Sequence, residues 1–414
     1  MGVLDAPGIS KRNLRDQRPF GNVGQRIFGG RMGLYNASVA KTFQVTCEVQ
    51  QHFDAIQVIF ANQKPGYSDN VVNMKASVLP SAADLNGSAG PWTTVTKSGL
   101  LRMALPISPA TGRLSYALSD VIPLASIPRT DGGSKPLVVV RVYMTGGDIT
   151  VLGNGTPGTP TTDDFTNWAS RTNGRRWVMR QMDGDGVSTP TAFTSTTNVS
   201  QSPIVGIRYW SRGRVVNLMV VGDSISDGRG TYLGEGFGGL VADRLTSDAL
   251  AVEYSNCGWS GQATSIFGER AIDIVHSDVK PDILVFPNSS PNNESALTDA
   301  GFAASDAMYQ RVLAACARTG VTPVLWTMIP TDPSIHAWGA ADSKRLAANA
   351  RALALRDRGV LVADTSTPLS GATSSGQVLP IAGKLPDGIH PGDGANVDMA
   401  DPITPLVSRA AGGL

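Results

Sequence analysis

A serine hydroxyl becomes a useful nucleophile only when a base removes its proton, and an imidazole oriented by a carboxylate is the usual arrangement. Two short segments hold the required groups: Gly222-Asp223-Ser224-Ile225-Ser226, and Pro386-Asp387-Gly388-Ile389-His390-Pro391 near the carboxyl end. Asp387 and His390 stand three positions apart, so one turn can face both side chains the same way and let the carboxylate hold the ring. The chain has four histidines. His52 falls in a β-rich half, His276 at a predicted helix end and His336 in a predicted loop, which leaves His390 as the one with an acid at useful spacing. Taken singly, each segment also reads as a plain turn, since Gly, Asp, Ser and Pro are ordinary turn residues. Taken together they support attack on a carbonyl carbon, with Ser224 as nucleophile, His390 as base and Asp387 as the acid that orients it.

The elements that must position these groups follow from hydrophobic patterning. Residues 215–221 form a nearly continuous apolar run, suited to a parallel strand buried on both faces, and Ser224 follows directly after it. Similar short runs recur at 251–254, 283–286, 323–326 and 360–363. Between the later ones lie helical patterns at 303–318 and 340–358, which end at Gly320 and Gly359 as C-caps. This alternation predicts a five-stranded, doubly wound parallel sheet with helices on both faces, whose ligand crevice lies at the carboxyl ends of the strands.

The first half reads differently. Runs rich in Val, Ile, Phe and Thr at 42–49, 55–61, 71–78 and 137–144 are separated by Gly, Pro, Asn and Asp clusters, which predicts a β-sandwich or jelly roll. Residues 153–202, rich in Thr, Gly, Pro and Ser, are expected to be mostly loop, pinned by Trp168, Trp177 and Trp210. The expected division is a β-rich accessory domain over 1–210 and an α/β domain over 211–414.

Composition narrows the classes of partner. The 35 Lys and Arg residues balance 34 Asp and Glu with no basic run, so nucleic acid and anionic membrane are poor candidates. Cys47, Cys257 and Cys316 show neither a disulfide framework nor metal-ligand spacing. Residues 1–18 are polar and do not read as a signal peptide. No stretch approaches the roughly 20 apolar residues of a membrane helix, so a soluble protein of unspecified compartment and oligomeric state is expected.

In combination the two segments resemble the GDSL or SGNH hydrolase superfamily of serine esterases, over roughly residues 213–411. The resemblance implies a flavodoxin-like three-layer α/β/α domain and carboxylic ester hydrolysis without metal or organic cofactor. In that family the nucleophile serine, a glycine of a second block and an asparagine of a third donate to the oxyanion. The second block resembles Asn256-Cys257-Gly258-Trp259-Ser260-Gly261, which implies the backbone amide of Gly261 as donor, with Gly258 as the alternative. The third block departs from the family's Gly-x-Asn-Asp: here the chain reads Pro287-Asn288-Ser289-Ser290-Pro291-Asn292-Asn293. Alignment from Pro281 with one inserted residue puts Asn292 on the oxyanion asparagine and Asn293 on the acid, and Asn288 is the alternative donor.

Asp223 is expected to brace the nucleophile turn by hydrogen bonding. Trp259 and Trp326, with Ile329 and Trp338, are candidates for the walls of a substrate pocket. A β-rich module joined to such a domain resembles two-domain carbohydrate esterases, implying an acylated carbohydrate substrate bearing acetyl or other short acyl groups. The alternatives are a lipase or polyesterase for longer chains, and a glycan-binding attachment protein with a vestigial hydrolase domain.

Overall fold

The computed structural model describes residues 22–27, 31–37, 40–62, 70–79, 92–101, 103–104, 115–127, 137–144, 147–153, 177–187, 201–228, 236–293, 298–335 and 342–412. The main strands of the first half are β1 (Asn22–Ile27), β2 (Lys41–Glu48), β3 (Phe53–Asn62), β4 (Asn70–Leu79), β5 (Ser115–Leu118), β6 (Leu137–Met144), β7 (Trp177–Asp183) and β8 (Ile204–Ser211). One antiparallel sheet runs β1-β8-β3-β5, and a second runs β7-β2-β6-β4 with Thr93–Val95 at its edge. Alternate residues of facing strands meet in one core: Phe43 and Val45 of β2 and Val138 and Val140 of β6 pack with Ile56 and Val58 of β3 and Tyr209 of β8. Period-two alternation with two such inner faces is a sandwich.

The stretch 153–202 differs from expectation. It contains β7, whose residues pair antiparallel with 41–47 of β2. The polar residues Arg180 and Gln181 interrupt its apolar signal, and Arg180 is nonetheless buried. Trp177 therefore begins a strand, while Trp168 lies outside the described residues.

The second half places β9 (Val215–Gly222), β10 (Ala251–Gly258), β11 (Ile283–Pro287), β12 (Thr322–Trp326) and β13 (Leu361–Ala363) in a parallel sheet of order β10-β9-β11-β12-β13. Its helices are α1 (Ser224–Asp227), α2 (Gly236–Leu245), α3 (Thr264–His276), α4 (Asp299–Thr319), α5 (Asp342–Leu353) and α6 (Asp393–Ala410). The helix expected over 340–358 gives way after Leu353 to a 3-10 turn over Ala354–Arg358. Leu218 and Val220 of β9 pack with Phe237 of α2 and Met399 and Ile403 of α6. Met219 and Val221 face the other way, towards Phe267 and Ile274 of α3 and Val312 of α4. Burial on both faces explains the nearly continuous apolar run, which only Asn217 interrupts. Strand order reverses at β9, which puts a crevice at the carboxyl ends of β9, β10 and β11.

The two halves share core. Ile27, Ile59, Ala61 and Val205 of the first sheet join Met219, Val221 and Cys257 in a single cluster with α3 and α4. Each such large aliphatic side chain contributes about 1.5–3 kcal/mol by leaving water. Polar groups fix the register: the Gln25 amide donates to Asn217 Oδ1 at 2.6 Å, the Ile27 amide to Ser255 Oγ at 2.9 Å, and the Tyr209 hydroxyl to Glu253 at 2.5 Å. The first sheet is thus covered by the second sheet on one side and by the α/β domain on the other.

Candidate active site

Strand β9 runs out at Gly222, and Asp223 then caps α1 by accepting from the Ile225 amide at 2.9 Å. Ser224 opens that single helical turn, and a first-turn N–H has no partner within its own helix. Asp223 is a brace as expected, since its second oxygen accepts from Ser290 Oγ at 2.6 Å. Burial pushes the Asp223 carboxyl above its ordinary range, while hydrogen bonds from Ser290 and the Ile225 and Ser226 amides, and the proximity of His390, pull it down less strongly.

His390 enters from the loop before α6. Its Nε2 lies 2.8 Å from Ser224 Oγ, and its Nδ1 lies 2.6 Å from Asp387 Oδ2. Gly388, at φ +81°, lets the chain turn back on itself between the acid and the imidazole, a conformation costly for any residue with a Cβ. The same turn lets Asp387 Oδ1 accept from the amides of His390 at 2.7 Å and Ile389 at 3.1 Å. Partial burial raises the Asp387 carboxyl, but these amides and the ring outweigh it, so the net direction is down and the group stays ionised. An ionised Asp387 holds the proton on Nδ1 and leaves the Nε2 lone pair facing the serine hydroxyl. The loop after β12 supports this turn: the Asp332 amide donates to the Gly388 carbonyl at 2.7 Å.

The two glycines of the second block differ in place. The Gly258 amide donates to Asn256 Oδ1 at 2.9 Å, and a Cβ there would lie 2.2 Å from the Asp227 nitrogen, so Gly258 serves the close approach of β10 to α1. Gly261, at φ +79°, is exposed on the turn beyond β10, leading into Gln262 and α3.

The three asparagines also separate. Asn288 is buried, donates to Asn349 Oδ1 at 3.0 Å and accepts from the Met328 amide at 3.0 Å, which ties the ends of β11 and β12 to α5. Asn293 accepts from the Thr264 amide at 2.7 Å and donates to Ser305 Oγ at 2.9 Å, joining α3 to α4. Asn292 is half-buried, and its Nδ2 makes only long contacts, 3.2 Å to Ser290 Oγ and 3.3 Å to the Gln262 carbonyl. Of the three, Asn292 is the one whose amide lies on the Gly261–Gln262 turn without a short bond.

The tryptophan expectations need one correction. Trp326 is 1% exposed, packed edge-to-face on Phe237 at 5.6 Å, and Ile329 is buried in the same cluster, so neither offers a face to substrate. Burial of the last three residues of β12, Val324, Leu325 and Trp326, is the reason. Trp259 is half-buried with its ring 5.5 Å from the Arg270 guanidinium, and Trp338 lies outside the described residues. Sequence reasoning passed over Ser290, Gln262 and Arg270. The signal for Arg270 was present: with Phe267, Ala271 and Ile274 it shares the apolar face of α3, where a cation is out of place.

Elsewhere, His52 and His276 are exposed and His336 lies outside the described residues. Cys47, Cys257 and Cys316 are free and buried. Among the described residues no group of His, Cys, Asp and Glu could hold a metal ion, and no helix is long and apolar enough to cross a membrane.

Residues 220–395 match the model of the GDSL-like lipase/acylhydrolase family. Solved structures that align with the chain include a GDSL-like lipase from Bacteroides thetaiotaomicron, at 16% identity over 47% of this chain and 88% of that one, with a TM-score of 0.37. A member of the lipolytic G-D-S-L family from Veillonella parvula aligns at 17% identity over 47% and 98% of the two chains, TM-score 0.37. A carbohydrate esterase family 3 protein from Talaromyces cellulolyticus aligns at 20% identity over 48% and 98%, TM-score 0.36. No curated protein matches the chain in sequence. Residues 220–395, with the Gly-Asp-Ser and Asp-x-x-His segments brought together at the end of a parallel sheet, are a domain of the GDSL-like lipase/acylhydrolase family.

Proposed function

We propose that the protein is a serine carboxylic ester hydrolase that works through an acyl-enzyme and removes acetyl or other short acyl groups from a carbohydrate. The observation that carries this reading is the unbroken relay from Asp387 through His390 to Ser224, with contacts of 2.6 and 2.8 Å. His390 takes the hydroxyl proton as Ser224 attacks the ester carbonyl, then returns it to the departing alcohol. Water hydrolyses the acyl-enzyme with the same imidazole as base. The amides of Ser224 and Gly261 and the Nδ2 of Asn292 receive the negative charge that grows on the carbonyl oxygen. One such donor is worth about 3–4 kcal/mol of barrier.

The substrate class rests on two features. A β-sandwich packs against the hydrolase domain, and the polar Asp332 and the exposed Asp387 stand at the turn that carries His390, beside one exposed apolar side chain, Ile335, which suits a hydroxylated alcohol group. The decisive measurement is hydrolysis of a chromogenic acetate ester by wild type and by Ser224→Ala. Wild type should turn over, and the variant should lose at least about 10³-fold in kcat. Equal rates would favour a binding protein with a vestigial hydrolase domain. Acetate esters should outpace octanoate esters, and the reverse preference would favour a lipase.

A further inference from the structure

Resting on that reading, we propose that Arg270 is a positioning residue that locks the nucleophile turn and the oxyanion turn into one rigid unit. It is 1% exposed, on the inward face of α3. One arm of its guanidinium donates to the Gly222 carbonyl at 3.0 Å, two residues before the nucleophile. Another donates to the side-chain carbonyl of Gln262, the residue after Gly261. The Trp259 amide donates to the same Gly222 carbonyl at 2.9 Å, and the Trp259 ring lies against the guanidinium. From Gln262 the connection continues: its backbone carbonyl accepts from Asn292 Nδ2 at 3.3 Å and lies 3.1 Å from Ser290 Oγ, which donates to Asp223. The nucleophile turn, the Gly261 amide and the Asn292 amide are therefore all tied, directly or through one neighbour, to this cation.

A planar guanidinium can hold two acceptors at a fixed separation, which the single ammonium of lysine cannot. Leaving such a cation in a core is costly, and burial lowers the Arg270 pKa to about 10, with Cys257, Tyr116 and Asp227 acting in the opposite direction. Tyr116 belongs to β5, so the β-rich half supplies part of the environment of the clamp. The clamp touches no reacting atom. Its effect is on where the oxyanion donors stand when charge develops, and a displacement of about 1 Å can cost on the order of 10²-fold in rate.

The variants are Arg270→Lys and Arg270→Met, with Gln262→Ala cutting one arm while the cation and its Gly222 contact stay. Short-chain ester kinetics should show kcat falling about 10–100-fold with KM within about twofold, because the donors are felt in the transition state and hardly in the ground state. Arg270→Lys should not restore the rate. Amide hydrogen exchange in the full chain supplies a readout independent of turnover: segment 258–264 should exchange faster in all three variants while 215–221 stays protected. Unchanged exchange in 258–264, or an unchanged kcat, would overturn the proposal. A wild type that hydrolyses no ester would instead remove the functional reading and leave the exchange result to decide the clamp. If Arg270→Met fails to fold, Gln262→Ala carries both measurements.

Discussion

Two aspartates flank the candidate nucleophile and base, and their environments push them in opposite directions. Asp387 is half open to water and takes two backbone amides and the ring N–H, so its carboxyl stays charged and orients His390. Asp223 is fully buried behind Ser224 and is raised, because the hydrogen bonds from Ser290 and from the Ile225 and Ser226 amides do not replace the water it has lost. A buried acid with a raised pKa holds its proton in the folded state after the unfolded chain has released it. Its contribution to stability is therefore fully present below the unfolded value of 3.8 and declines as pH rises towards the higher folded value. Asp223→Asn removes that decline, and its side chain can still accept from Ile225 while its amide turns to Ser290 Oγ. Urea unfolding should show the variant gaining on wild type as pH rises from about 4, then a constant difference once Asp223 is ionised in both states. A difference that shrinks with rising pH would contradict this account.

Between elements, the site depends on how closely the first two strands approach the turn of α1. Gly258, at the end of β10, touches the backbone of Ser226 and Asp227, where a Cβ would sit 2.2 Å from nitrogen. Gly258→Ala must separate β10 from α1, and overpacking of this kind costs about 1–3 kcal/mol. It should also lower kcat by more than about 10-fold, because the Gly261 turn moves with the strand. Thermal unfolding and ester kinetics on the same preparation check both. At this scale much was legible. The runs at 215–221 and 251–254 are mostly apolar because both faces are covered, with Asn217 and Glu253 the polar interruptions that bond to the first half, and they emerged as β9 and β10. Strand β7 was not legible, since an edge strand carrying Arg180 and Gln181 lacks the alternation that marks its neighbours. The end of α5 was one turn early, where the last helical residues tighten into a 3-10 turn before Gly359.

At the scale of the whole molecule, the β-rich half and the hydrolase domain behave as one core. Expressed alone, residues 211–414 would expose Val215 and Ala251, which pack into the sandwich core, would lose Ile27, Ile59, Ala61 and Val205 from the cluster shared with α3 and α4, and would leave Asn217, Ser255 and Glu253 without their partners from the first sheet. The fragment should be less soluble than the full chain and bind a hydrophobic dye more strongly. A soluble, cooperatively unfolding fragment would show that the shared cluster is dispensable. The sequence by itself determined the parallel order of apolar strands, the serine after the first of them and the acid three positions before the imidazole. These are properties of local pattern and short spacing, which side-chain period and turn geometry encode directly. Which asparagine lies beside Gly261, the burial of Trp326, the position of Arg270 beneath the site and the union of the two halves were decided by tertiary structure alone. Each depends on segments distant in the chain meeting at one place, and no local pattern records which surfaces will be brought together.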